Sequence, residues 1–192
     1  MEFSDVVRRR RMVRNYTDQS VAPDAIDRIV DSGVRAPSAG FSQGQRFVVV
    51  TDEQTRNRVA TASGEGEYLA KGFDPWISKA PVHIIICADK QAYVNRYSEP
   101  DKGGTHEWAV PYWWVDAGAS LMAILHAAVN EGLAAGFLGA HATDDLHDAL
   151  DIPPDILIAG IVTLGHGAPD RRSGSLDRGR TSRDDVVRYD RW

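Results

Sequence analysis

Two stretches combine residue types and spacings that suit chemistry. Residues 8–14, "RRRRMVR", set five arginines within seven positions. Guanidinium groups stay charged at every physiological pH and grip phosphate oxygens through paired N–H donors, so the run suits an anion. With 3–10 read as a helix, Arg8 and Arg11 fall near one face and Arg10 and Arg14 near another, and only a subset can meet one ligand. Taken alone, the run also reads as a solvated basic face. The second stretch, "APSAGFSQGQRFVVV" (36–50), packs small, hydroxyl and amide residues into one connection ahead of a β-branched run. A linker need only turn the chain. This composition lets main chain come within hydrogen-bond reach of something flat.

Other chemistries lack their motifs. His83, His106, His126, His141, His147 and His166 are scattered without HExxH or Cys–His spacing, so no metal site is expected. "DKGGT" (101–105) lacks the Walker spacing, no GxGxxG follows a strand, and Ser38 lacks a nucleophile-elbow context. No catalytic side chain stands out.

Charge adds a second clue. The net charge is −5, yet residues 1–14 carry five Arg against Glu2 and Asp5, and residues 166–192 carry seven Arg against five Asp. Arginine-rich ends therefore flank an acidic middle, which fits an anionic ligand held by both ends, or basic arms on nucleic acid. An acidic chain with 8% aromatic residues favours the small ligand over nucleic acid.

The elements that must position these residues follow from periodicity and punctuation. "FSDVVRRR" (3–10) reads as a short helix and "MVRNY" as extended. Pro23 opens a helix that places Ile26, Ile29, Val30 and Val34 on one face. Strands are expected at 46–50, 80–88, 134–140 and 156–165, with a polar helix over 53–69 weakened at Gly64 and Gly66. The continuous apolar run "APVHIIICA" implies cover on both faces of its strand. Residues 97–112 form a long loop, of the kind that tends to be functional. Helix 113–131 is apolar nearly all round and should be central; its Ala117, Gly118, Ala119 and Ser120 would allow a close backbone approach by another helix, such as one across a dimer. A further helix is expected at 143–150. Val186, Val187, Tyr189 and Trp192 suggest that the polar tail docks on something, a partner chain included.

One α+β domain over 1–192 is expected. Cys87 is the only cysteine and sits in a strand, so it reads as a buried thiol; with no secretory h-region and no bilayer-spanning run, a cytoplasmic location away from membranes is expected.

"RRRMVRNY", then "APSAGFSQGQRFVVV" after a helix, then "EGLAAGFLGA", then "RGRTSRDDVVRYDRW" resembles, in that order and over nearly the whole chain, the FMN-dependent nitroreductase family. The resemblance implies a three-layer α+β fold with a central mixed, mainly antiparallel sheet between helices, and a C-terminal extension wrapped over a dimer partner. It implies FMN between the subunits of a homodimer. Arg10, Arg11 and Arg14, with Arg178 and Arg180, would grip the ribityl phosphate, and Met12 of the same segment would also belong to the cofactor site. Pro37, Ser38 and Gly40 would line the pyrimidine edge, and Leu138 and Gly139 would bring main chain near flavin N5. The implied activity is a ping-pong transfer of hydride from NADH or NADPH to a small electron-poor acceptor such as a nitroaromatic or quinone, with no protein nucleophile required.

The chain also departs from the family pattern. Met12 stands where Ser is usual, Phe41 where Asn is usual, and Gly44–Gln45 replaces Pro–Trp. These changes bear on individual contacts more than on phosphate binding. Phe41 and Tyr112 are the candidates for the substrate pocket, whereas Trp113 and Trp114 read chiefly as packing. Two alternatives remain open: a flavin-fragmenting enzyme of the dimethylbenzimidazole-forming branch, whose acidic residue at position 12 and serine near position 139 are absent here, and a non-catalytic flavin-binding protein.

Overall fold

The computed structural model describes residues 1–104, 107–139 and 143–192, so His106 and His141 lie outside the described residues. Four strands, β1 (Gln45–Val50), β2 (Val82–Asp89), β3 (Ala134–Gly139) and β4 (Ile156–Gly165), form one sheet in the order β1-β2-β4-β3. All three pairings are antiparallel. The middle strands are β2 and β4, which explains why their sequences are apolar at nearly every position: both faces are covered.

The covering helices make three layers. On one face lie α2 (Pro23–Val34) and α6 (Tyr112–Asn130), whose Ile26, Ile29, Ile124 and Leu125 pack on Ile84, Ile86 and Val162. On the other lie α3 (Glu53–Ala62) and α7 (Thr143–Leu150), packing with Trp76 and Leu138 on Ile85, Cys87 and Ile161. The helix α1 (Phe3–Arg9) packs against α6, and α4 (Glu65–Ala70) follows α3. The expected helix over 53–69 is thus two helices, broken where Gly64 adopts φ 73°, a conformation only glycine takes cheaply. An additional helix, α5 (Lys90–Tyr97), follows β2 directly, capped by the Asp89 carboxylate accepting from the Ala92 amide at 3.1 Å.

Within α6 the small residues divide. Ser120 donates its hydroxyl to the Gly33 carbonyl at 3.0 Å, and a Cβ on Gly33 would lie 2.7 Å from Ile124, so the close helix contact is with α2 of the same chain. Gly118 faces outward with Trp114, Val115 and Met122, an exposed apolar stripe. Cys87 is buried and its thiol is pushed up to about 12 by desolvation, the inert strand thiol expected. The tail carries only a short helix, α8 (Arg183–Val186), and its Val186, Tyr189 and Trp192 are exposed, Trp192 completely. Tyr189 and Trp192 meet only arginines of the tail itself, Arg183 and Arg188, among the described residues. Among the described residues no helix is long and apolar enough to cross a membrane, and no cluster of His, Cys, Asp or Glu could hold a metal ion.

Candidate functional site

Both chain ends meet at the β3 edge. The Val13 amide donates to the Ala135 carbonyl at 2.9 Å, and residues 15–17 pair with 166–168 just beyond β4 through Thr17 N–H to His166 O and Ala168 N–H to Asn15 O, 2.9 and 3.0 Å. The pairing is locked from below by Tyr16, whose hydroxyl lies 2.7 Å from Thr163 Oγ1 and 2.8 Å from the Val13 carbonyl. Burial raises the Tyr16 pKa, so this hydroxyl stays neutral. It is locked from above by Asp170, which accepts from the Arg14 amide at 2.8 Å. Gly136 is required here, because a Cβ on it would stand 2.4 Å from the Val13 carbonyl oxygen.

This zipper opens a cavity of about 660 Å³ lined by Arg14, Tyr68, Trp76, Leu138, Gly139 and Arg172, with Phe73, Asp74, Phe137 and the rest of 170–174 completing its rim. Its size is that of a cofactor pocket. The Arg14 guanidinium rests over the Trp76 ring, 5.5 Å from its centroid, a cation–π contact that fixes the cation while leaving N–H donors free. Arg171 and Arg172 supply further positive charge, Arg172 being paired with Asp177 on its outer side. Among the described residues a Cβ on Gly139 would meet no atom within 4 Å, so main chain at the end of β3 is bare of side-chain cover there. Cations at one wall, aromatic rings at another and bare main chain at a third suit a planar molecule with an anionic tail.

The 36–44 connection lies elsewhere, off the opposite edge strand β1. It forms a single 3-10 turn, Ala39–Phe41, with positive φ at Gly40, Phe41 and Gln43 (61°, 57° and 50°). Left-handed backbone is costly for Phe and Gln. The surrounding polar groups hold it. Asp116 of α6, buried, accepts from the Ala39 amide and the Tyr93 hydroxyl at 2.8 Å each. Ser38 Oγ accepts from the Gln43 amide at 2.9 Å, and Gln45 Nε2 donates to the Pro37 carbonyl at 3.1 Å. Arg96 Nε donates to the Gly40 carbonyl at 2.8 Å while its two terminal nitrogens pair with Asp101 at 2.7 Å each. Gly44 leaves room for Tyr93, since a Cβ there would stand 2.3 Å from its ring.

The sequence-derived candidates therefore separate into groups. Arg14, Leu138 and Gly139 come together in the cavity. Pro37, Ser38, Gly40 and Phe41 share the β1-edge turn, with Phe41 73% exposed. Tyr112 sits at the start of α6, its ring packed edge-on against Trp108 at 6.3 Å, and is half-exposed; Trp113 is buried, as packing residues are. Arg10 lies near His126 of α6, and Arg11, Met12, Arg178 and Arg180 are exposed outside the cavity lining. Sequence reasoning missed Trp76, Tyr68, Arg171 and Arg172. The two arginines were visible as part of a basic tail; the two aromatics carried no motif.

A sequence model of the Nitroreductase family matches residues 7–166. An Archaeoglobus fulgidus protein assigned as an NADH dehydrogenase/NAD(P)H nitroreductase is 28% identical over 163 residues, covering 82% of this chain and 80% of the relative. The FMN reductase [NAD(P)H] of Bacillus subtilis is 27% identical over 164 residues, 82% of this chain and 63% of the longer enzyme. Among solved structures, a Desulfovibrio desulfuricans nitroreductase in complex with FMN superposes with a TM-score of 0.76 at 23% identity, over 100% of this chain and 98% of that one. That likeness is one of fold.

Proposed function

Because the chain belongs to the nitroreductase family, we propose that it is an NAD(P)H-dependent FMN oxidoreductase working as a homodimer, each site completed by both subunits. The observation that carries this reading is the cavity at the meeting point of the chain ends, where Arg14, the aromatic wall and the bare main chain of Leu138–Gly139 fit FMN in size and charge. Bound FMN supplies the redox chemistry, a two-electron relay in two half-reactions.

The chain supplies position and charge. Arg14, with Arg171 and Arg172, offers donors to the anionic part of FMN, which brings nearly two negative charges. Leu138 and Gly139 offer main chain at the ring. Arg178 and Arg180 add charge once the tail settles on a partner, and Arg10 and Arg11 add charge from the same N-terminal segment as Arg14. The main chain of Pro37, Ser38 and Gly40 belongs at the ring of the partner's cofactor, because two inner strands, roughly 14 Å in all, separate β1 from β3 in one chain. The outward stripe of Trp114, Val115, Gly118 and Met122 and the undocked tail aromatics support a second copy as that partner. Phe41 and Tyr112 border the space where nicotinamide and an electron-poor acceptor, a nitroaromatic or quinone, bind in turn in ping-pong order. No side chain needs to act as a nucleophile.

The test is direct. The purified protein should show a flavin absorption spectrum, release a cofactor with the mass of FMN, and oxidise NADH or NADPH only when a quinone or nitro compound is present. A colourless protein that takes up no added FMN overturns the reading; a yellow protein without turnover keeps the cofactor and removes the enzyme.

A further inference from the structure

Trp76 is held by groups that never reach the cavity. Glu65, the first residue of α4, is 5% exposed and pairs with no Lys or Arg among the described residues. Its Oε1 accepts from the main-chain amides of Trp76, Ile77 and Ser78 at 2.8, 2.7 and 3.2 Å, and its Oε2 from Ser78 at 3.3 Å. Three successive N–H dipoles thus stand in for a counter-ion. The carbonyls of the same segment are fixed as well. His83 Nε2 donates to the Ile77 carbonyl at 2.8 Å, and Arg56 Nη1 donates to those of Ser78 and Ala80 at 3.3 and 2.8 Å. The Trp76 ring so placed lies against β3 at Gly136 and under the Arg14 guanidinium.

We propose that Glu65 is a positioning residue of the cofactor pocket: it holds the 76–78 main chain, that main chain holds Trp76, and Trp76 aims Arg14 at the anionic ligand. This inference rests on the reading of the cavity as the FMN half-site. Without the carboxylate, three buried amides lose their acceptor, and the segment must move to reach water. Arg14 then loses the surface that orients it, and FMN must spend binding energy to reorder it. The consequence falls on cofactor affinity rather than on turnover of enzyme saturated with FMN.

The experiment pairs two measurements on the full-length protein. Glu65→Ala should accelerate hydrogen exchange in the peptide covering residues 74–80 of the apoprotein and weaken FMN binding about tenfold, with kcat at saturating FMN little changed. Glu65→Gln, which keeps one carbonyl acceptor but sets an NH₂ against the Ser78 amide, should weaken FMN only about threefold and serves if the alanine variant does not fold. In a Trp76→Ala background, Glu65→Gln should have no further effect on FMN affinity, because the route through Trp76 is already cut. Unchanged exchange at 74–80, or effects of the two substitutions that multiply independently, overturns the proposal. Absence of FMN binding by the wild type overturns the functional reading instead, and the exchange measurement separates the two.

Discussion

The β3-edge cavity and the β1-edge turn hold main chain in place by opposite means. At β3, chain ends zip together around a cavity, and among the described residues the Arg14 and Arg171 side chains beside it make no hydrogen bond or ion pair. At β1, the turn is closed: inner polar side chains take up its main-chain groups, and the left-handed residues are pinned by Asp116, Ser38 and Arg96. One region is a receptacle and the other a rigid finger. They lie at opposite edge strands of the sheet, and the proposed function has two copies of the chain join them at one ligand.

Mixed dimers test this most severely. Arg14→Ala removes the oriented cation of the receptacle, and Asp116→Ala leaves the buried Tyr93 hydroxyl and the Ala39 amide without an acceptor, loosening the finger. Neither homodimer should retain FMN through purification. A dimer of one chain of each, isolated with two affinity tags, pairs the intact receptacle of the Asp116→Ala chain with the intact finger of the Arg14→Ala chain. It should carry one FMN per dimer. An empty mixed dimer would show that each site lies within a single chain.

The sequence made these two regions unequally legible. The turn announced itself because small residues with Gly40 and Gly44 have few other uses, and Arg14, Leu138 and Gly139 were reached through an ordered set of motifs. Trp76 and Tyr68 were not, since their role depends on the segment between α4 and β2 folding back on β3 through Glu65, a contact without local periodicity. Helix α5 was missed because "KQAYVNRY" has weak amphipathicity and its start depends on the Asp89 cap. The strands and α6 were readable for the reverse reason: burial on both sides leaves long apolar runs. The tail's aromatics read as docking groups in the sequence, and in the single chain Val186, Tyr189 and Trp192 are exposed.

Acid should distinguish the two regions within one chain. His83 sits beneath the receptacle with Nε2–H given to Ile77 and a buried Nδ1 that has no partner among the described residues, near Glu65 and Arg56. Burial lowers its pKa to about 4, below the ordinary 6.5. Above pH 6.5 both folded and unfolded forms are neutral and nothing is lost. As pH falls through 6.5 toward 4 the unfolded chain takes a proton that the folded one refuses, a loss on the order of 3 kcal/mol by pH 4. Tyr93, raised by burial and by Asp116, keeps its proton throughout. Between pH 7 and 5, with exchange corrected for its slower intrinsic rate in acid, protection at 74–80 should therefore fall before protection at 38–44. His83→Gln, which can still donate to Ile77, should flatten the pH dependence of Tm; an unchanged slope would mean another group governs it.

The smallest effect concerns which arginines close the receptacle. Arg172 lines the cavity, whereas Arg180 lies outside its lining, beyond Gly179, which takes a φ of 71°. A guanidinium in direct contact with a phosphate contributes about 1.5–3 kcal/mol, an exposed charge nearby about 0.2–1 kcal/mol. Arg172→Ala should then weaken FMN by about tenfold or more and Arg180→Ala by about threefold, as read by fluorescence titration of the apoprotein. Because the nearby charge is screened by salt and the direct contact is not, raising the salt from 0.05 to 0.5 M should erase the Arg180→Ala effect and leave most of the Arg172→Ala effect. A larger loss for Arg180→Ala would move the phosphate to the far end of the tail. The receptacle would then hold the ring alone, and the partner subunit, through the tail it positions, would govern affinity at both ends of the cofactor.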